Sequence, residues 1–560
     1  MAEHAHPSKS FFQSENYNRV IAMVIASVTL LATLVGFLEH DAAVHSAAAR
    51  RDAIRYAIQA MGARSSGTTR VGYDRSDAYR AWASLDLQAT LADRANDPAA
   101  LRRYQAVRDR VAKLSPLLAA PYFAPDAAFP NVSAYEADTY LVSSTTLSEQ
   151  FTDQAETDEL WVKKGDTYIL HLSLLAAALA LLGLSMAMSR RIRIIFMVTG
   201  LILVGVTSVW IVQNYLQPIA PLPDSAIEAY AKGVGLAYQN KNQEAIAEFD
   251  KAVAQAPEYG NALYERGNAY YALAQYDEAV SNYQEAIAAH KDDTSVNWNL
   301  GWTLYVLGQF DAALAVDNHA LALDPGIVAI HTNKALALLA AGQMDAARSE
   351  YAGTLDLAAR QVADAKAAGQ EPPTELWAEL DSGAGDLENL VGRLNGQAGS
   401  QTEAPPRETV ANASAVIAEA QQQAQRIKEM DVALEYTGRA PGAPVSAQIQ
   451  PLQFGAPAAV GSTDNVYSDT LPAGPSQVVV RVDYDGMQNG QSVLWKVYVD
   501  GVEDEALRVA GQWSQGAKGS TVQTFQYAGG DIFTFSSGEY VVEMYVDSHL
   551  VQRGRFTVSK

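Results

Sequence analysis

The stretch ALYERGNAYYALAQYDEAVSNYQEAI, residues 262–287, sets small residues at fixed places among five tyrosines. Stacking the chain on itself from residue 226 onward gives a period of 34 residues. Gly233, Gly267, Gly301 and Ala335 recur at that interval, and so do Ala245, Ala279, Ala313 and Ala347. Phe249, Tyr283 and Tyr351 share an aromatic phase that Asp317 interrupts, and Ala252, Ala286 and Ala320 share another. Pro257 and Pro325 close the first and third repeats, with Lys291 standing in the second. Small residues at such places let two antiparallel helices approach closely, while the aromatic of the second helix packs beneath them. Paired helices are therefore expected over about 226–360.

These positions resemble the tetratricopeptide repeat, in four copies. The resemblance implies a right-handed solenoid whose first helices line a concave groove. Carried onto this sequence, the groove phase holds Tyr230 and Tyr238 in the first repeat and Tyr264, Asn268 and Tyr271 in the second, with Asn261 beside them. In the third repeat it holds Trp298, Trp302 and Tyr305, with Ser295, and in the fourth Leu336 and Leu339. Tyr270 and Tyr283 fall in the packing phase and are expected to build the solenoid itself. An aromatic groove with Asn268 suits a protein or peptide partner, because Tyr and Trp supply large contact area at low entropic cost. Repeat proteins of this family that clamp an acidic C-terminus carry a lysine where Tyr230 stands, so carboxylate clamping is not expected. The competing reading is that the chain's own later helices, with Trp377, cover the aromatics. The solenoid with its capping helices is expected to occupy 223–394.

Three stretches are apolar for the roughly 20 residues that a bilayer crossing needs: Val20–Leu38, Tyr168–Met188 and Ile194–Val212. A cleaved signal peptide competes for the first, but its C-terminal flank, EHDAAVHSA, makes a poor cleavage region. Between the second and third lies only residues 189–193, with Arg190, Arg191 and Arg193, and the next basic residue is Lys232. The positive-inside bias places that loop and the tail 1–19 in the cytoplasm, and everything else outside. So short a cytoplasmic portion leaves no room for an output domain. His171, within the second span, reads as a tolerated polar residue.

Residues 39–167 read as an extracytoplasmic helical bundle, with Ser76 and Asp97 as N-caps of its middle helices. Its layout is similar to the helical ectodomains of bacterial receptors, without a shared motif. Beyond the solenoid, 395–462 is expected to be linker around one helix, 409–436, which suits a free stalk or a coiled-coil seam. From 463 to 560 the period becomes two, and strands such as SVLWKVYVDG predict an antiparallel β-sandwich. DYDGMQNGQSVLWKVYVDG, Trp513 and SGEYVVEMYVDSHLVQRGRFTV resemble the immunoglobulin-like modules of bacterial (Chloroflexi-type) surface proteins. Asp483, Asp485 and Asn489 have a calcium-like spacing, but without a downstream glutamate they read as a solvated hairpin turn.

The balance of 41 basic against 63 acidic residues, a net charge of −22, argues against nucleic acid as partner. Cysteine is absent, which excludes disulfides and thiolate chemistry. No catalytic motif and no metal-ligand spacing appears among the nine histidines, so neither enzyme activity, metal nor cofactor is expected. Asn131 and Asn412 match the glycosylation sequon. The fold class expected is a multidomain bacterial plasma-membrane protein with three transmembrane helices, an outward bundle, an all-α solenoid and a β-sandwich. Its expected function is a non-catalytic scaffold that binds a protein or peptide outside the membrane. A ligand-responsive sensor working through a membrane partner and a self-assembling homo-oligomeric surface structure are the alternatives.

Overall fold

The computed structural model describes residues 15–124, 127, 129–368, 370, 376, 379, 425–429, 431–433, 445–457, 465–472, 474–499, 502–527 and 534–559. The chain divides into two compact units, Met1–Ala269 and Tyr270–Lys560.

In the first unit, α1 (Glu15–Tyr73) runs unbroken for 59 residues, roughly 90 Å at the usual helical rise. A π-helical turn (Asp74–Tyr79) leads into α2 (Arg80–Arg94), and α3 (Pro98–Val111) packs against α2. Asp97 caps α3 as expected, accepting from the backbone N–H groups of Ala99 and Ala100. Ser76 does not cap α2: it lies inside the π turn, and its hydroxyl donates back to the Gly72 carbonyl. The helix does not restart there because the backbone enters the turn still helical, so no free N–H group needs a cap. Asn131 of the sequon is the N-cap of α4 (Val132–Glu136), its Oδ1 accepting from Ala134 N; Asn412 lies outside the described residues.

A second π turn (Ala137–Leu141) opens α5 (Val142–Ala187), which returns along α1 and is followed by α6 (Arg190–Leu216). By length and composition, three helices among the described residues, Tyr17–Arg94, Val132–Ala187 and Arg191–Leu216, are apolar enough to cross a membrane. Val28, Val35, Tyr168, Leu175 and Ile211 form their shared core. His171 is buried beside Tyr168, with ring centroids 6.2 Å apart. At the α5–α6 turn Arg193 donates to the Met186 carbonyl at 3.2 Å and lies 4.8 Å over the Tyr17 ring. Farther along, Ser46 and Arg50 of α1 hold Asp158 of α5, and His45 stacks on Trp161 at 4.5 Å. The unit ends with α7 (Asp224–Tyr238), α8 (Asn242–Gln255) and most of α9 (Gly260–Ala272). A β-carbon at Gly233 would lie 2.5 Å from the Phe249 ring, so the repeat's glycine exists to admit the aromatic beneath it.

The second unit continues with α10 (Tyr276–Ala288), α11 (Thr294–Val306), α12 (Phe310–Leu323), α13 (Val328–Ala340) and the longer α14 (Met344–Ala367). Tyr283 is fully buried, as its phase requires, and Tyr270 is half-buried. Trp377 lies outside the described residues.

Eleven strands form two sheets among the described residues. In one, β5 (Val478–Asp485) pairs with β1 (Gln448–Ile449) and β2 (Gln453–Pro457) along one edge and with β9 (Lys518–Phe525) along the other; β3 (Asn465–Tyr467) extends β2. The other contains β4 (Thr470–Leu471), β6 (Ser492–Val499), β7 (Val502–Glu503), β8 (Val509–Gln512), β10 (Gly538–Val546) and β11 (His549–Val558). All pairings are antiparallel except β4 with β11. Phe454, Val480, Val482, Trp495, Val542, Met544 and Phe556 join the inner faces in one core.

Three sequence expectations change here. Residues 448–457, read as linker, supply β1 and β2; the Pro, Ala and Gly around them hide the alternation of Ile449, Leu452, Phe454 and Ala456, all of which are buried. The link after β5 is no hairpin turn, because β5 and β6 belong to different sheets. Its polar residues are engaged within the protein: Asp485 pairs with Lys518 at 2.6 Å, and Asn489 accepts from Gly516 N at 3.0 Å. Finally, helical residues 425–429 and 431–433 of the expected stalk lie on the outer face of the second sheet. There Lys428 meets the buried Glu543 at 3.2 Å, and Val432 packs with Leu494 and Tyr545.

Candidate functional site

The residues expected to line the groove fall into two sets, one in each unit. In the first, α7 and the start of α9 are covered by the chain's own α5. As α5 numbering rises from 142 to 153, its contacts on the repeat side fall from Gly235 to Leu222, so the helices run antiparallel. A β-carbon on Gly235 would stand 2.6 Å from Val142 Cγ2, which makes this glycine the close-approach point. Gln150 donates to Asp224 Oδ1 at 3.2 Å, and Asp153 accepts the Leu222 backbone N–H at 2.7 Å. The Tyr259 hydroxyl and Asn261 Nδ2 both donate to Glu149 Oε2, at 2.8 and 2.9 Å.

Tyr230 is therefore 7% exposed, wedged between Phe249 and Tyr259, not set on an open surface. Burial, reinforced by Glu149, drives its hydroxyl well above the ordinary tyrosine range, and Tyr259 shifts the same way for the same reasons. Tyr238 keeps half its surface and donates to Glu136 at 2.5 Å. That hydrogen bond to a carboxylate, with burial second, pushes it up to about 12. Tyr264 is half-buried, and half-buried Asn268 donates to Glu265 at 3.1 Å.

The second set behaves differently. Trp298, Trp302 and Tyr305 follow one another at helical spacing on α11, which puts them on one side of the helix. Trp302 stacks on Tyr305 with centroids 5.2 Å apart, and its indole Nε1 donates to the Tyr271 hydroxyl at 2.6 Å. Tyr305, 3% exposed, packs on Phe310, and Tyr271 lies against Tyr276. Trp298 alone remains exposed, at 36%. The arrangement is a locked aromatic row that ends in one open indole. Leu336 and Leu339 of α13 are buried and add nothing to an open face.

Beneath α11 lies a residue that the repeat pattern flagged as an exception. Asp317 takes the aromatic position of α12, directly under Gly301, and its Oδ1 has no hydrogen-bond partner. Burial drives its pKa up to about 7, with Lys334 of α13 opposing and Glu350 of α14 adding to the rise. Glu350 itself is held by His331 at 2.6 Å and Lys334 at 2.9 Å. No group of acidic, histidine or cysteine side chains suited to a metal ion occurs among the described residues.

Residues 230–293, 264–327 and 299–362 each match the family model of the tetratricopeptide repeat. This part of the chain is a tetratricopeptide array. Among solved structures it is similar to YrrB, described as a tetratricopeptide protein with an unusual peptide-binding site, at 21% identity over 36% of this chain and 89% of that one (TM-score 0.24). It is also similar to PilW, described as a widely conserved type IV pilus biogenesis factor, at 18% identity over 38% and 94% of the two chains (TM-score 0.23). MamA from Desulfovibrio magneticus RS-1 matches at 18% identity over 32% and 94% (TM-score 0.23). No curated protein matches the chain.

Proposed function

We propose that this tetratricopeptide array belongs to a non-catalytic, membrane-anchored scaffold that docks a protein or peptide partner on the outer side of a bacterial plasma membrane. The observation that carries the reading is Trp298: a large aromatic kept in water beside residues already locked in place. Interface hot spots have this character, because a rigid anchor loses little entropy when it is buried. Three helices apolar enough to span a bilayer support the anchoring, and Arg190, Arg191 and Arg193 favour a cytoplasmic α5–α6 turn. The C-terminal pair of sheets reads as an immunoglobulin-like sandwich that serves for adhesion or docking. The test is capture of envelope proteins by the full chain in detergent, wild type against Trp298→Ala. A partner held by wild type and lost by the variant, with helicity unchanged, supports the scaffold; identical captures overturn this surface as the working one.

The ligand-sensor reading keeps one specific support. Asp74, in the first π turn, is fully buried and bonded through Oδ2 to Arg70 and Tyr135, leaving Oδ1 without a partner. The neighbouring Tyr79, Trp82 and Phe123 form an aromatic cluster. Saturable thermal stabilisation of the full chain by a small amine or alcohol, absent in Asp74→Asn, would move the function to the bundle.

A further inference from the structure

Solenoid repeats bury their apolar faces against their neighbours, so the first repeat of an array needs something to stand in for the repeat it lacks. α7 buries Ala226, Ile227, Ala229, Tyr230, Ala231, Gly233 and Gly235, far more than one partner helix covers. Its second neighbour is α5. The contact is built like a core: Gly235 leaves the room that a β-carbon 2.6 Å from Val142 Cγ2 would fill, Glu149 accepts from Tyr259 and Asn261, and Asp153 accepts from Leu222 N.

We infer that residues 142–153 of α5 are the fixed cap of the repeat array, so that bundle and first repeat fold as one body and the face of α7 receives no external partner. This goes beyond the scaffold reading, and its tests use no partner, so the two fail separately. A docking groove that opens and closes would not hide a glycine contact and a tyrosine pair under a helix continuous with an apolar span. A soluble fragment beginning near residue 223, the boundary suggested by the repeat pattern, would leave Tyr230 and Tyr259 uncovered and the Tyr259 hydroxyl without its acceptor.

The chain contains no cysteine, so a pair introduced as Val142→Cys/Gly235→Cys reports without background. The Gly235 contact places the two β-carbons within about 4 Å, the separation a disulfide needs. In the full chain in detergent micelles, mild oxidation should close this bridge nearly quantitatively with unchanged helicity. Two thiols that stay reactive to maleimide would show that the helices part in solution and would overturn the cap. Should the pair fail to fold, Tyr259→Phe/Asn261→Ala tests the same point by amide exchange. Exchange should quicken about tenfold or more in residues 142–153 as well as in α7, since hydrogen bonds to a carboxylate are lost. Quickening confined to the mutated repeat would overturn the inference.

Discussion

The indole N–H of Trp302 donates to the Tyr271 hydroxyl at 2.6 Å and ties α11 to the end of α9. This bond separates two tryptophans that the repeat phase treats alike. Trp302→Ala removes a half-buried ring together with its hydrogen bond and should destabilise the array by about 2–3 kcal/mol. Tyr271→Phe should cost about 1 kcal/mol. Trp298→Ala, at an exposed position, should change stability by less than about 1 kcal/mol. Urea unfolding of the full chain followed by amide exchange in α11 checks the order. Equal losses for both tryptophans would mean that Trp298 packs as Trp302 does and is no free anchor.

Asp317 beneath Gly301 gives the array a pH dependence of definite sign. An unfolded aspartate titrates near pH 4, whereas the buried one titrates at about 7. The folded state therefore holds the proton more tightly, and stability falls as pH rises through that window. His331, raised chiefly by its bond to Glu350, loses its charge in the same direction. Asp317→Asn leaves His331 intact and should remove most of the slope between about pH 4 and 7, measured by amide exchange in α11 and α12. Asp317→Phe, restoring the aromatic found at Phe249, should stabilise the array by about 2 kcal/mol at pH 8. An unchanged slope in Asp317→Asn would assign the effect to His331.

The array was legible because its spacing is self-referential: Gly233 and Phe249 report each other's existence from one repeat. The cap on it was not. Glu149, Tyr259 and Asn261 are ordinary residues brought together across more than a hundred positions, and no local period marks them. The repeat phase put Tyr230 in the groove, yet a repeat pattern says nothing of α5, which covers that helix, and the ring packs between Phe249 and Tyr259. Composition misled at the C-terminal module, where Pro and Gly around Phe454 imitated a linker. A buried ion pair such as Lys428 with Glu543 is likewise invisible until the fold joins residues from a helix and a strand.

That pair should fasten the helical residues 425–429 and 431–433 to their sheet. Burial works against the charge on Glu543, but Lys428 and Arg553 outweigh it and hold the carboxyl below the usual glutamate range. A lowered pKa contributes stability above the unfolded value and loses it as pH falls, so the helix should loosen below about pH 4. Glu543→Ala removes the buried carboxylate that Lys428 meets and should cost about 3–5 kcal/mol, while Lys428→Met/Glu543→Met should cost far less. Limited proteolysis around residues 425–433 reads both: rapid cleavage in the single variant only is expected. Equal resistance in all forms would mean that the apolar contacts of Val432 suffice.

Arg190, Arg191 and Arg193 at the α5–α6 turn make the orientation of the whole chain testable. An arginine costs about 2.5–3.5 kcal/mol at a membrane centre, and the bias of short loops keeps such clusters in the cytoplasm. If α6 crosses, as proposed, Ser559, beyond β11, would lie on the opposite side from Ser189. The absence of native cysteine again allows single reporters. In intact cells an impermeant maleimide should label Ser559→Cys at once and reach Ser189→Cys only after permeabilisation. The reverse pattern would invert the topology and put the aromatic face of α11 in the cytoplasm. Labelling of both would mean that α6 does not cross, and the membrane anchor would then have to come from α1 and α5.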